Sequence, residues 1–228
     1  MMKGMGFISV RNVFRVFGES PDAVTALSNV SLDIEKGEFV AIMGPSGSGK
    51  TTLLSILGAM SGPTQGEVLI DGTSLYSLSG EERADFRARR LGFVFQQPHL
   101  MPYLTAIENV MLPLVILKGY DSLWDIAFST LQQVGLEHKA QRLPNQLSSG
   151  EQARIAIARA LVKAPPIILA DEPTGNLDSK AGQDIVRLLQ TINERGHTNI
   201  MVTHNQEAAR GARRVIYLRD GKIVGDNE

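Results

Sequence analysis

The 228-residue chain contains no cysteine. Disulfides and thiolate metal sites are thereby excluded, which suits a reducing compartment. Charge of either sign in excess is also missing: 24 acidic residues face 23 Lys and Arg, for a formal net charge of −1. Nothing in that balance suggests a broad nucleic-acid footprint, and no nucleic-acid partner is expected. A long apolar run is absent too. The most apolar stretch, Val110-Met-Leu-Pro-Leu-Val-Ile-Leu117, is too short to span a bilayer. The first residues, Met1-Met-Lys-Gly-Met-Gly-Phe7, lack the apolar core of a signal peptide. The expectation is a soluble chain that reaches a membrane only through a partner. There is no internal repeat and no low-complexity segment. Hydrophobic residues make up 43% of the chain, enough to bury a sizeable core in one large α/β domain or two small ones.

The densest chemical signal is Gly-Pro-Ser-Gly-Ser-Gly-Lys-Thr at 44–51. The pattern is that of a P-loop (Walker A), with Gly44, Gly49, Lys50 and Thr51 at the fixed places. Its context agrees. Glu38-Phe-Val-Ala-Ile-Met43 before it is short and apolar enough to be a buried strand, and Thr52-Leu-Leu-Ser-Ile-Leu-Gly58 after it continues as an apolar helix. A glycine-rich turn between strand and helix aims successive backbone N–H groups into one concavity, at the positive end of the helix dipole. Such a nest holds polyphosphate. The binding set is Gly44, Pro45, Ser46, Gly47, Ser48, Gly49, Lys50, Thr51 and Thr52. Lys50 would reach the β- and γ-phosphates, and the Thr51 hydroxyl would bind Mg²⁺.

Around this loop the chain reads as α/β. Phe7–Val10 and Val30–Ile34 alternate apolar and polar residues, as half-buried strands do. Phe17 ends the segment before a polar turn at 18–22, and a lone aromatic there reads as core. Glu67–Ile70 is a further strand closed by Asp71-Gly72. Residues 80–90 mix four arginines with three acids and read as a solvated helix. Leu91–Phe95 is a strand, followed by Gln96-Gln97-Pro98. Pro102 and Pro113 break the chain, and the stretch 98–163 reads as a mostly helical subdomain, with Asp125–Val134 at helical spacing and Gln152–Lys163 strongly helical. Ile167–Ala170 and Asn199–Thr203 are buried strands, separated by an amphipathic helix over Ala181–Arg195 that Gly196 stops. Val215–Leu218 and Ile223-Val224 flank an Asp220-Gly221 hairpin turn.

Three further positions complete a phosphoryl-transfer site. Asp171 follows four apolar residues, at the C-terminal end of a buried strand, where open α/β sheets bind their ligands. It would hold Mg²⁺ as the acidic partner of Thr51. Glu172, next to it, is the candidate to orient and polarise an attacking water. His204 ends the next strand, and its imidazole can donate to a γ-phosphate oxygen. Gln96 also lies at a strand end, where its amide can touch both metal and water.

The set Gly44–Thr51, Gln96, Leu147-Ser-Ser-Gly-Glu151, Ile167–Glu172, Asn176-Leu-Asp178 and His204, in this order, resembles the ATP-binding-cassette (ABC) ATPases over essentially the whole chain. The segment 171–179 with Gly92–Gln97 resembles the branch that serves macrolide-exporter and lipoprotein-release systems. The resemblance implies one domain over residues 1–228, with a RecA-like P-loop NTPase mixed sheet, a small antiparallel β part and the helical subdomain. It implies a signature loop of Leu147, Ser148, Ser149, Gly150 and Glu151 that acts in trans, a D-loop at Gly175–Asp178, a switch histidine at His204 and an adenine-stacking aromatic at Phe17. The family has Tyr at that last place, and Phe stacks without the hydroxyl. The signature loop departs from the family's Leu-Ser-Gly-Gly-Gln: Ser149 adds a side chain and Glu151 a charge. Ser148-x-x-Glu151 is also a helix capping box, which would stabilise the following helix with no ligand at all. ATP and Mg²⁺ are the implied cofactors. The implied partners are a second copy, joined head to tail on ATP binding, and an integral membrane permease subunit docked near Gln96–Leu117. The implied location is peripheral, on the cytoplasmic face of the cell inner membrane. Export or substrate release is one role. A nucleotide-controlled switch that acts through a membrane protein, of the cell-division type, is the other. A GTPase or small-molecule kinase fits poorly, because no Asn-Lys-x-Asp guanine motif is present.

Overall fold

The computed structural model describes residues 6–117, 119 and 122–227. Among these, ten strands run in chain order as β1 (Ile8–Phe17), β2 (Val24–Ile34), β3 (Phe39–Met43), β4 (Gln65–Ile70), β5 (Thr73–Ser74), β6 (Leu91–Val94), β7 (Ile167–Asp171), β8 (Thr198–Thr203), β9 (Arg214–Arg219) and β10 (Lys222–Asn227). Seven α-helices accompany them: α1 (Lys50–Leu57), α2 (Gly80–Arg90), α3 (Ala106–Leu117), α4 (Leu123–Gln133), α5 (Ser149–Leu161), α6 (Ser179–Glu194) and α7 (Gln206–Ala209). The strands form two sheets. The larger has the order β10-β9-β3-β8-β7-β6, parallel throughout except for β10. The smaller is antiparallel, in the order β2-β1-β4-β5.

All five residues of β3 are buried, as the apolar run before the glycine-rich loop requires of a central parallel strand. Its side chains alternate between two cores. Phe39, Ala41 and Met43 face a core shared with α3, α4, α5 and α6, while Val40 and Ile42 face one shared with α1 and the antiparallel sheet. The same alternation holds in β7, where Ile168 and Ala170 join the first core and Ile167 and Leu169 the second. Full burial of side chains such as Phe39 or Ile42 contributes about 1.5–3 kcal/mol each. The sheet is thus clamped from both sides, and its strand ends form a firm platform.

Three local features differ from the pattern expected of the sequence. Strands β1 and β2 are far longer than their alternating stretches, because register shifts between Val10 and Val16 break the two-residue period. Asn12 and Asn29 absorb the irregularity with positive φ, and the Asn12 amide donates to Asn29 Oδ1 at 2.9 Å. Pro113 does not break the chain but lies inside α3. A helix-interior proline costs about 3 kcal/mol, and here burial of Ile107, Val110 and Leu114 offsets it. Buried Asn109 also pins the start of α3. Its Oδ1 accepts the Met101 N–H at 2.7 Å, and its Nδ2 donates to the carbonyls of Met101, Leu104 and Thr105. Finally, α5 begins at Ser149, three residues before the expected Gln152, because Ser148 and Glu151 cap it reciprocally.

Candidate active site

Two glycines shape the loop after β3 where a side chain would collide with neighbouring backbone. A Cβ on Gly44 would stand 2.1 Å from Leu218 O, and one on Gly49 would stand 2.4 Å from Ala26 O. Gly49 also caps α1 at φ 101°, in the left-handed region. Lys50 folds back over the loop, where Nζ donates to the carbonyls of Gly44 at 2.8 Å and Pro45 at 2.9 Å. The Ser48 hydroxyl is buried and has no hydrogen-bond partner. An open cleft of about 710 Å³ lies over the loop. Pro45 to Thr52 form its floor, with Val24, Thr25 and Ala26 of β2 on one side and Gln96, Glu172 and His204 on the other.

Parallel register brings the remaining groups to this edge. Met43 pairs with Thr203, Asp171 with Val202, and Val94 with Ala170. The residues that leave β3, β7, β8 and β6 are therefore neighbours at their C-terminal ends. The Thr51 hydroxyl donates to Asp171 Oδ1 at 3.3 Å across 120 residues of sequence. Burial pushes the Asp171 carboxyl above its usual range; the Glu172 charge adds to this, while the Thr51 hydrogen bond and Lys50 oppose it. Glu172 sits at φ 45°, rare for a residue with a side chain. Its Oε1 lies 2.8 Å from His204 Nδ1, and its Oε2 accepts from the Thr203 hydroxyl at 3.1 Å and the His204 N–H at 3.3 Å. Gln96 is braced by Asn176, whose amide donates to the Gln96 carbonyl at 3.2 Å.

Gly44 and Asp171 do not line the cleft themselves, Asp171 meeting it through Thr51, and three further groups of expected residues lie outside its wall. Phe17 is not core: it is 44% exposed, because it closes β1 at the sheet's open end. It pairs across the strands with Val24, which does line the cleft. The Arg15 guanidinium lies 4.4 Å from its ring centroid. Leu147 is buried, while Ser148 and Ser149 are exposed at the start of α5. Ser148 accepts the Glu151 N–H at 3.3 Å, and Glu151 Oε2 accepts the Ser148 N–H at 2.8 Å. Asp178 caps α6 by accepting the Ala181 N–H at 2.9 Å. Val24, Thr25, Ala26 and Thr203 were not marked by any motif; they are at the site because of strand pairing alone.

The donor set suits a triphosphate and a small hard cation. The orphaned Ser48 hydroxyl and the glycine cradle fit phosphate oxygens. Thr51, Asp171 and Gln96 offer oxygen ligands, and among the described residues no cluster of three His, Cys, Asp or Glu offers a fuller cage. Mg²⁺ takes few protein ligands and completes its shell with water and phosphate.

A family model described as ABC transporter matches residues 27–175. The chain belongs to the ABC transporter family. An uncharacterised ABC transporter ATP-binding protein of Methanocaldococcus jannaschii is 50% identical over 95% of this chain and 97% of its own length. A macrolide export ATP-binding/permease protein, MacB, of Aggregatibacter actinomycetemcomitans is 44% identical over 98% of this chain but only 35% of its own length. Two solved structures of the ABC cassette MJ0796 of M. jannaschii superpose closely. One is a dimer, with a TM-score of 0.89, 47% identity and 97% and 98% of the two chains covered. The other is a dimer in a post-hydrolysis state bound to ADP and Pi, with a TM-score of 0.88, 45% identity and the same coverage. The fold of this ABC protein is that of a P-loop NTPase, and it is an ATP-hydrolysing enzyme of the branch that includes the macrolide exporters.

Proposed function

We propose that this ABC ATPase hydrolyses Mg-ATP between two copies arranged head to tail, and so drives export or substrate release by a membrane permease. One observation carries the reading. Lys50, the Thr51–Asp171 pair, Glu172, His204 and Gln96 converge on one cleft, whereas the segment 147–151 lies outside it, on an exposed helix start. Each copy thus offers a nucleotide cleft and, elsewhere, a second set of phosphate-facing groups for its neighbour. The dimeric MJ0796 structures and the permease-linked MacB relatives support this arrangement.

In the bound state Lys50 exchanges its two loop carbonyls for β- and γ-phosphate oxygens, and Ser48 gains the partner it lacks. Thr51, Asp171 and Gln96 hold Mg²⁺, which would supply charge neutralisation on the phosphates. Glu172 orients the attacking water and accepts its proton. His204 has 67% of its side chain exposed and can turn from Glu172 toward the γ-phosphate. Phe17 stacks on adenine at the rim beside Val24. Met101, Tyr103, Val115 and Ile116 expose apolar surface around the 96–117 stretch, where the permease docks. The whole chain acts as one cassette domain with residues 98–163 as its helical subdomain, peripheral on the cytoplasmic face of the inner membrane.

The test is Glu172→Gln. Gln keeps the size of the side chain but cannot take a proton, so ATP binding should persist while turnover falls about 10²–10⁴-fold. The variant should accumulate as an ATP-bound dimer on size-exclusion chromatography. Wild-type turnover would remove Glu172 from its role.

A further inference from the structure

Thr203 is fully buried at the end of β8, paired in register with Met43 just before the phosphate loop. Its hydroxyl is used twice. It accepts the Asn205 N–H at 3.0 Å and donates to Glu172 Oε2 at 3.1 Å. A hydroxyl has one hydrogen, so the Asn205 contact on its oxygen leaves that hydrogen to the carboxylate. Asn205 is itself held, because its Oδ1 accepts the N–H groups of Glu207 at 2.8 Å and Ala208 at 3.3 Å at the start of α7. The β-branched Thr203 side chain, stiff at χ1, is therefore held by two hydrogen bonds on its hydroxyl. On the other side of the contact, the Glu172 backbone donates its N–H to Val202 O at 2.9 Å and adopts φ 45°, which sends the carboxylate toward β8.

His204 and Thr203 differ in what they can do next. The exposed imidazole is free to leave Glu172, whereas the buried hydroxyl is not. We propose that Thr203 is a positioning residue for ATP hydrolysis: its hydroxyl holds the Glu172 carboxylate at the sheet edge while His204 turns to the nucleotide. The proposal rests on the reading of Glu172 as the group that orients water. It predicts that the hydroxyl matters to the chemical step and not to nucleotide binding, and that it matters only through Glu172.

The experiment compares Thr203→Ser, Thr203→Val and Thr203→Ala in the full chain, alone and combined with Glu172→Gln, by single-turnover ATP hydrolysis and by titration with a fluorescent ATP analogue. Val keeps the shape, and Ala relieves any crowding, so one folded variant without the hydroxyl suffices. Loss of a hydrogen bond to a charged group should lower the hydrolysis rate of the Val and Ala variants about 10- to 100-fold. Their nucleotide affinity should stay within about twofold of the wild type, the scatter of a contact not made to the ligand. Ser should restore the rate. In the Glu172→Gln background the Val substitution should cost nothing more, as expected of two residues that act as a unit. A wild-type rate in the Val or Ala variant would overturn the proposal. So would a Ser variant as slow as Val, or an equal further loss in the Glu172→Gln background. Wild-type turnover of Glu172→Gln alone would instead remove the Glu172 reading, and this proposal would fall with it.

Discussion

Lys50 is 7% exposed, with its ammonium seated on two carbonyls of its own loop. A buried cation is costly unless it is hydrogen-bonded, and Gly44 and Pro45 meet that need from six and five residues back. The lysine therefore does two things: it supplies positive charge at the cleft floor and holds the loop closed around it. Lys50→Ala removes both. Affinity for a fluorescent ATP analogue should fall about 10- to 100-fold, the range for lost hydrogen bonds to charged groups. Titration of the two proteins side by side checks this, and unchanged affinity would mean that the loop is no phosphate cradle. Glu172 shows the other side of residue-scale design. Its left-handed φ is unfavourable for a side-chain-bearing residue, and contacts to Val202, Thr203 and His204 hold it there.

Helix α5 begins inside the segment 147–151, so the cap at its start belongs to the proposed signature loop. The Ser148–Glu151 box satisfies two N–H groups of the first turn, and a cap of this kind contributes about 0.5–2 kcal/mol. The Ser148 backbone N–H, first of all, pulls the Glu151 carboxyl below its ordinary value of 4.5; its hydroxyl and Lys139 at 3.4 Å act in the same direction, against burial. A carboxyl lowered by folding stabilises the folded state above the unfolded pKa, and that contribution fades as pH falls through the folded one. The wild type should therefore be more stable than Glu151→Gln at pH 7 by an amount that is constant down to about pH 5 and shrinks below 4.5. Denaturant midpoints for both proteins at pH 7, 5 and 4 measure it. A difference that grows on acidification would contradict the sign.

At the scale of the whole molecule, the cleft of one chain lacks any residue of 147–151 among its lining. The head-to-tail closure proposed above would bring the start of α5 of one copy to the phosphates of the other. Glycine allows close backbone approach because it has no Cβ. Ser149, exposed at that tip, would fill the space, and Glu151 would bring a negative charge toward the triphosphate. Isolated copies should bind ATP as monomers, pair weakly and hydrolyse slowly, with the membrane partner supplying the missing closure. Ser149→Gly should raise the basal rate several-fold and shift its dependence on protein concentration downward. ATPase rate against protein concentration for both versions is the measurement. A wild type that already rises steeply, with no effect of Ser149→Gly, would show the serine to be a tolerated variant.

Gly44–Thr51, Asp171-Glu172, Gln96 and His204 could be read from the linear chain because each is a short signal, a strand run followed at once by a turn or a charged residue. Their chemistry travels with a few consecutive residues. The capping box of α5 is local in the same way. Phe17, by contrast, looked like core, and nothing near it in the chain says that it closes an open sheet end beside Val24. The full lengths of β1 and β2 were hidden, because the shifts around Asn12 interrupt the alternation that marks a strand. Pro113 stands inside α3 because burial among helices outweighs its local cost. The Thr51–Asp171 bond and the Thr203 hydroxyl on Glu172 join segments 120 and 31 residues apart. Such contacts exist only once β3, β8 and β7 lie side by side in register, since that pairing depends on both partners together and on neither stretch alone.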